Sequence, residues 1–357
     1  MTKANSPPPL GEGDHEVVEG AGPPAAKGLF SGFKVDWYLV LIITMALAAS
    51  VVPARGAVAG DLGWATRIAI GVVFFLHGAR LSREAVLRGL THWRLHLLIL
   101  AATFGLFPAL CVGITHLPAW ITPPELASGI ILLGCLPSTI QSSIAFVGAA
   151  RGNVAAAVAS ASLSNMLGVF LTPLLAGLLM HAKGAVGPGS FWAIVLQLLV
   201  PFVAGQLLRP WIGAFVARHN KTLGKLDRGT ILLIVYTAFS GAVVGGVWSR
   251  LSALDLVRLL GLCLLLLGVV LAATALAARA LGFDKADEIA IVFCGSKKSL
   301  ASGAPIAAAL LNPAVAGIAM IPLMIFHQIQ LMACAAIAQR YAARADLSGP
   351  DTVAEAG

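Results

Sequence analysis

Ten long apolar runs, separated by short polar breaks, dominate this sequence of 357 residues. A run of about 20 apolar residues is long enough to cross the hydrocarbon core of a bilayer as a helix, whose backbone polar groups are satisfied within the segment itself. The runs lie near 37–53, 64–79, 95–115, 126–149, 153–181, 190–211, 229–249, 255–281, 286–310 and 313–341. The sequence therefore predicts an all-α integral membrane protein with about ten transmembrane helices.

The composition excludes several other classes of protein. Residues are 58% hydrophobic and only 11% charged, which is typical of a membrane protein rather than a soluble one. The net charge of +8 comes from basic residues in short loops without interleaved aromatic side chains, so it does not indicate nucleic-acid binding. The five cysteines stand singly in apolar runs, and no enzyme motif is present. We expect no enzyme activity, no metal centre and no cofactor.

The basic residues also predict the orientation in the membrane. Of the 24 lysines and arginines, 17 fall on one side of the ten spans and 5 on the other, with Lys297 and Lys298 inside a span. Because basic loops stay in the cytoplasm, both termini are expected there, in an inner or plasma membrane. The expected organisation is a disordered cytoplasmic tail (1–34), a transmembrane transporter domain (35–342) and a second cytoplasmic tail (343–357).

Ten spans divide into two sets of five, at about 35–183 and 188–342. If the halves are related, an odd number of spans per half gives them opposite orientations, the inverted repeat of secondary transporters. The fourth and ninth spans then correspond, and both are interrupted, by Pro137–Ser143 in one and by Gly295–Ser299 in the other. Matched interruptions of this kind mark transporter binding sites.

Two adjacent lysines, Lys297 and Lys298, lie in the middle of the ninth apolar run. If the span is misplaced, they belong to a loop or extend to the membrane interface. Apolar sequence continues on both sides of the two lysines for longer than a lysine side chain can reach, which disfavours this alternative. A charge at this depth in the bilayer indicates a functional site. Such a cation attracts an anionic substrate, replaces a bound metal ion, or releases its proton.

The other candidate residues are polar side chains close to these interruptions. For the serines of the fourth span, a structural role has the same weight as a role in binding: their hydroxyl groups can satisfy backbone groups freed by Pro137. Asn153 follows a glycine at the start of a helix and is expected to be its N-cap. The candidates for substrate or ion binding are Lys297, Lys298, Ser296, Ser299, Cys294, Gln141, Ser142, Ser143, Thr103 and Asn165, with Pro137, Gly295 and Asn153 as structural residues at the crossover.

The chain resembles the bile acid:sodium symporter (solute carrier 10) family, and in particular its divergent seventh-member-type branch. Five segments carry the resemblance, in the family's order: Phe75–Leu81, Thr103–Pro108, Ala150–Ala155, Leu171–Pro173 and Gly295–Ala301. The resemblance implies a panel domain of spans one, two, six and seven, and a core domain of the others. It also implies that broken helices four and nine cross where they unwind. In sodium-coupled members, two ions bind at that crossover.

The positions that bind sodium in the family carry unsuitable residues here. The resemblance places a shared glutamate at Phe293, two hydroxyl ligands at Ala157 and Ala161, a glutamine at Thr103, and a serine–asparagine pair at about Ser142 and Ser143. The following ligands fall on Cys294, Ser296 and Lys297. A hard cation prefers oxygen ligands with negative charge nearby, so sodium binding is not expected.

These observations predict a secondary active transporter that works by alternating access and moves a small organic anion. Lys297 and Lys298 stand in for the cation, so transport is sodium-independent or proton-coupled. The alternatives are a conventional sodium-coupled symporter for bile acids or other organic anions, a non-transporting membrane regulator or scaffold, and an intramembrane enzyme with a lysine nucleophile. The expected partners are the substrate and the lipid bilayer; assembly into a homo-oligomer is left open.

Overall fold

The computed structural model describes residues 37–80, 92–181, 188–246 and 251–347, which form helices and no strand. The α-helices are α1 (Trp37–Val51), α2 (Gly56–Arg80), α3 (Trp93–Ala101), α4 (Phe107–Thr115), α5 (Ala127–Cys135), α6 (Gln141–Ala149), α7 (Val154–His181), α8 (Pro188–Arg218), α9 (Asn220–Val244), α10 (Ala253–Ala280), α11 (Lys285–Gly295), α12 (Leu300–Leu310) and α13 (Pro313–Leu347). A π-helical turn (Ala102–Leu106) joins α3 to α4, and a 3₁₀ turn (Pro124–Leu126) precedes α5. The predicted tail at 1–34 lies outside the described residues.

Seven helical segments of the described residues are long and apolar enough to cross a membrane. They are Gly56–Arg80, Trp93–Thr115, Val154–Met180, Leu196–Arg218, Asn220–Val244, Ala253–Ala280 and Pro313–Arg344, and two shorter apolar helices are Val40–Val51 and Pro124–Cys135. The prediction of an all-helical membrane protein is confirmed. The start of α1 belongs to a separate unit, Met1–Val40, whereas all the residues discussed below lie in Leu41–Gly357.

Several helices extend beyond the apolar runs that predicted them. The sixth run was expected at 190–211, but α8 continues to Arg218; the seventh was expected from residue 229, but α9 begins at Asn220. Helix α13 continues to Leu347, past the predicted start of the C-terminal tail at residue 343. The reason is that lysine, arginine and alanine favour helix, so polar ends prolong a helix that hydropathy alone cuts short.

Both predicted interruptions are present in the structure. Helix α5 ends at Cys135 and α6 begins at Gln141, because Pro137 has no N–H and disfavours helical geometry at the preceding Leu136. Leu136 is accordingly extended, with φ −73° and ψ 151°. In the ninth run, α11 ends at Gly295 and α12 begins at Leu300.

The two interrupted segments lie at the centre of the helical bundle. Every residue of 129–139 and of 287–300 is buried. Large apolar side chains on the outside, such as Trp211 (76% exposed) and Leu207 (67% exposed), are instead available to lipid. The chain therefore encloses its helix breaks within protein, where non-helical backbone at membrane depth is tolerated.

Helices α2 and α8 pack with their backbones in direct contact, through glycine on each side. A Cβ atom at Gly205 would lie 1.9 Å from the Phe75 carbonyl oxygen, and one at Gly78 would lie 2.0 Å from the Phe202 carbonyl oxygen. A Cβ atom at Gly71 would lie 3.9 Å from Cγ of Pro201, an ordinary contact, and further along both helices Ala79 packs in one cluster with Val216, so residue numbers rise together along the contact. The two helices are therefore parallel.

We expect Gly205→Ala to destabilise the protein, because the added methyl group forces α2 and α8 apart. Overpacking of this kind costs about 1–3 kcal/mol, which thermal unfolding of the purified protein in detergent would measure. Gly261→Ala in α10 is the matched control, since nothing lies within 4 Å of its Cβ position. An equal effect of the two substitutions would contradict the packing described.

Candidate functional site

The two broken spans contact each other at their interruptions. The main-chain N–H of Ser299 donates to the carbonyl oxygen of Pro137 at 2.9 Å. The hydroxyl of Ser138 donates to the carbonyl oxygen of Cys294 at 2.7 Å. Each break thus satisfies a backbone group of the other, as buried polar groups require. The crossover is one continuous polar centre inside the bundle.

Lys298 is fully buried in this centre, and all three of its ammonium N–H groups have partners. Its Nζ atom donates hydrogen bonds of 2.7 Å to three main-chain carbonyl oxygens, those of Thr103, Gly134 and Leu136. Nζ also lies 4.2 Å from the ring centroid of Phe107, within the range of a cation–π contact. No donor of Lys298 remains for a substrate.

The three oxygens are available to Lys298 because the local helices leave them free. In a regular α-helix the N–H of Phe107 would bond to Thr103, but in the π-helical turn it bonds to the Ala102 carbonyl instead. Gly134 and Leu136 lie at the C-terminal end of α5, where carbonyl groups lack helical partners and the helix dipole favours a cation. We call these three oxygens the carbonyl cage.

Lys297 is also fully buried, but it points away from the carbonyl cage. Its Nζ atom donates one long hydrogen bond of 3.3 Å, to the carbonyl oxygen of Ser142. Two aromatic rings lie beside it: the Phe146 centroid at 3.7 Å and the Phe293 centroid at 5.9 Å. The sequence predicts one shared role for the two lysines, whereas the structure separates them: all donors of Lys298 are used, and Nζ of Lys297 makes only this one hydrogen bond to the part of the chain that the structure describes.

Gln330 of α13 binds the unwound backbone of the ninth span at Lys298. Its Oε1 atom accepts from the main-chain N–H of Lys298, and its Nε2 atom donates to the carbonyl oxygen of the same residue, both at 2.8 Å. Nε2 also lies 2.9 Å from Nδ1 of His327. The sequence around Gln330 does not reveal this role, because its partner Lys298 lies 32 residues away in the chain.

We expect Gln330→Met to destabilise the protein by about 2 kcal/mol, since it leaves the buried N–H of Lys298 without its partner and the carbonyl oxygen of Lys298 with only a 3.4 Å contact to Nδ1 of His327. Gln328→Met is the matched control on the same helix, because the buried Oε1 of Gln328 has no hydrogen-bond partner among the described residues. Thermal unfolding of both variants would measure the difference. A larger loss for Gln328→Met would contradict the role assigned to Gln330.

A second polar network links the fourth, fifth and ninth spans. The side-chain amide of Asn165 donates to the carbonyl oxygens of Ser138 at 2.7 Å and Ala161 at 2.9 Å. Its Oδ1 atom accepts from the hydroxyl of Ser302 at 3.1 Å. The hydroxyl of Ser299 caps α12 by accepting from the N–H of Ser302. Asn165 and Ser302 are only half-buried, so this network reaches the surface of the bundle.

Other predicted site residues take more limited positions. Gln141 is exposed at the start of α6, and Ser143 is buried with its hydroxyl 3.4 Å from that of Ser138. Thr103 contributes its carbonyl oxygen to the carbonyl cage, while its hydroxyl bonds back to Ile99. Ser296 is fully buried beside the break.

The sequence predicts Asn153 at the crossover, but the structure places it elsewhere. Its Oδ1 atom accepts from the N–H of Ala156, which confirms the expected N-cap. Its Nδ2 atom donates to Asp287 at 2.8 Å, at the far end of α11 from the break. Asn153 therefore joins the start of the fifth span to the start of the ninth, because the turn that contains it packs there.

The resemblance implies sodium positions at Phe293, Ala157 and Ala161, and none of these three side chains carries an oxygen atom. Phe293 supplies a buried ring that packs on Phe146, and Ala157 and Ala161 have no side-chain oxygen. The Cys294 thiol lies 3.9 Å from the Ala157 carbonyl oxygen. In the part of the chain that the structure describes, no group of three or more metal-ligating His, Cys, Asp or Glu side chains occurs.

Comparison with known proteins gives a family match over most of the chain. The model of the SBF-like CPA transporter family matches residues 36–343. A putative symporter, YfeH of Escherichia coli, is 51% identical over 312 residues, covering 86% of this chain and 93% of the relative. An uncharacterized protein of Pseudomonas aeruginosa, PA2026, is 52% identical over 316 residues, covering 88% of this chain and 95% of the relative.

More distant relatives connect the chain to the predicted branch. Sodium/bile acid cotransporter 7 of Mus musculus is 28% identical over 319 residues, covering 84% of this chain and 90% of the relative. The resemblance to the bile acid:sodium symporters and to their seventh-member-type branch is thereby confirmed. The family is one of transporters rather than enzymes. The chain is an integral membrane protein and belongs to the SBF-like CPA transporter family.

Proposed function

We propose that this protein is a sodium-independent secondary transporter that moves a small organic anion by alternating access. Lys298 occupies the place of a bound cation in the crossover, and Lys297 supplies a second positive charge whose donors are free to interact with substrate. Family membership supports transport itself, while the contacts of the two lysines support the absence of sodium coupling.

The topology behind this proposal is a ten-span inverted repeat with both termini in the cytoplasm. Parallel packing of α2 and α8 supports it, because two parallel helices must be separated by an odd number of crossings. Three crossings lie between them if α3–α4, α5–α6 and α7 count as one span each. The reciprocal contacts of Ser138 with Cys294 and of Ser299 with Pro137 support a correspondence between spans four and nine.

The panel domain would then comprise α1, α2, α8 and α9, and the core domain would contain the other helices. Alternating access moves one such body against the other around a fixed site. The Asn165–Ser302 network reaches the surface of the bundle from the crossover. It is the part of the site that we assign to substrate, together with Lys297, Ser142 and Gln141.

A single observation carries the sodium-independent part of the proposal: three main-chain oxygens of the crossover all bond to the ammonium group of Lys298 at 2.7 Å. Three oxygens around one charge is what a cation site needs. Here a covalently attached cation fills it, and a second cation within a few ångströms would be repelled.

The substrate is assigned an organic anion because the site contains lysine and no carboxylate among its described residues. Half-helix N-termini of α6 and α12 add partial positive charge at the crossover. Because some relatives are named sodium/bile acid cotransporter, a bile acid is one compound to test as substrate. The contacts of Lys298 argue against sodium as its coupling ion.

The test is uptake into proteoliposomes of an anion selected by a thermal-shift screen of anionic metabolites, taurocholate included. Uptake is expected to be saturable and unchanged when sodium is replaced by potassium. Lys297→Met is expected to reduce it at least about tenfold, the effect of losing one charge-assisted hydrogen bond. Full sodium dependence with an active Lys297→Met variant would establish a conventional sodium-coupled symporter instead. Absence of flux for every anion that binds would favour a regulator or scaffold.

A further inference from the structure

A cavity away from the crossover lies between the ends of α2 and α8. Its volume is about 650 Å³, and its wall includes Arg80, Gln206, Arg209 and Asn220. Cavities of about 300–1,000 Å³ hold small ligands. Among the described residues that line it, none is acidic. The cavity is therefore large enough for a ligand and complementary to an anion.

Both arginines of this cavity have hydrogen-bond donors that no described residue uses. Arg80 donates one hydrogen bond to Asp227 of α9, while its buried Nε and Nη2 atoms have no partner among the described residues. Buried donors without partners are rare in folded proteins. Arg209 is half-buried, and no ion pair or hydrogen bond to it occurs among the described residues. A guanidinium group suits the paired oxygens of a phosphate.

The surroundings of the cavity indicate where such a phosphate comes from. Arg80 and Arg218 end their helices on the side that the basic loops predict to be cytoplasmic, where anionic lipid headgroups lie. On α8, next to the cavity wall, Leu207 and Trp211 are 67% and 76% exposed. Exposed apolar side chains beside a basic cavity fit the acyl chains of a lipid whose headgroup enters it.

We propose that this cavity binds the phosphate headgroup of an anionic phospholipid. The phosphate contacts Arg209 directly, and it reaches Nη2 of Arg80 when that side chain rotates toward the cavity. Bound lipid would thereby hold the ends of α2 and α8 together with α9, through Arg80 and its ion pair with Asp227. The site is independent of the crossover and of the transported substrate.

Native mass spectrometry of the full-length protein tests this proposal, with phosphatidylglycerol or phosphatidylcholine added to the detergent. The wild-type protein is expected to retain phosphatidylglycerol preferentially. Arg209→Gln is expected to weaken this retention about tenfold, equivalent to about 1.4 kcal/mol. Ala217→Phe fills the cavity without altering charge and should have a similar effect; it keeps the test decisive if Arg209→Gln does not fold.

Arg218→Gln is the matched control, because Arg218 lies on the same end of α8 and does not line the cavity. Its retention of phosphatidylglycerol should equal that of the wild-type protein. An equal loss for Arg209→Gln and Arg218→Gln would overturn the proposal in favour of diffuse attraction. Displacement of the lipid by equimolar inorganic phosphate or glycerol 3-phosphate would overturn it in favour of a soluble anion.

Discussion

Replacing Lys298 by methionine is expected to destabilise the protein more than any other single change described above. The substitution keeps the side-chain volume roughly constant but removes three hydrogen bonds of 2.7 Å. It leaves three buried carbonyl oxygens without donors, at a cost of at least about 3 kcal/mol. Thermal unfolding in detergent would measure the loss.

Lys297→Met is the matched control, since both lysines are fully buried and adjacent in sequence. It removes only the 3.3 Å bond to Ser142 and the contacts with aromatic rings, so its effect on stability should be much smaller. If the two variants unfold at the same temperature, the division of roles between the lysines is wrong.

Lys298→Ala is expected to create a protein whose stability depends on added cations. The shorter side chain leaves the carbonyl cage open, and propylammonium approximately replaces the missing atoms. A ligand that binds the folded state at ten times its Kd adds about 1.4 kcal/mol of stability. Unfolding temperatures in propylammonium chloride, sodium chloride and choline chloride would measure this gain.

The wild-type protein should respond equally to the three salts, because its own ammonium group already fills the cage. Propanol, which has the size of propylammonium without its charge, should not restore Lys298→Ala. A wild-type response as large as that of the variant, or no response of the variant to propylammonium, would contradict the account of the cage.

The position of the site could be predicted from the sequence because its signals are local. Pro137 removes a backbone donor and so interrupts a helix, and Lys297 and Lys298 place charge in the middle of an apolar run, which marks a functional site. Their proposed correspondence as spans four and nine rests on the count of apolar runs. The structure places both breaks where these residues predicted them.

The division of roles inside the site was not predictable in the same way. Which lysine enters the carbonyl cage depends on the backbone path through 296–299, and that path is set by contacts from distant parts of the chain such as Gln330. The cage itself consists of main-chain oxygens, which no side-chain pattern reveals. Pro108 lies just after the π-helical turn that frees the Thr103 carbonyl, but a proline alone does not distinguish a π-helical turn from a kink.

The most direct test of the central claim is the binding of radiolabelled sodium to the purified wild-type protein in detergent. We expect no saturable binding, because under the proposed function Lys298 takes the cation's place and the ligand positions implied by the resemblance carry Phe293, Ala157 and Ala161. Saturable binding of one or two sodium ions per chain, lost in competition with unlabelled sodium but not potassium, would contradict it.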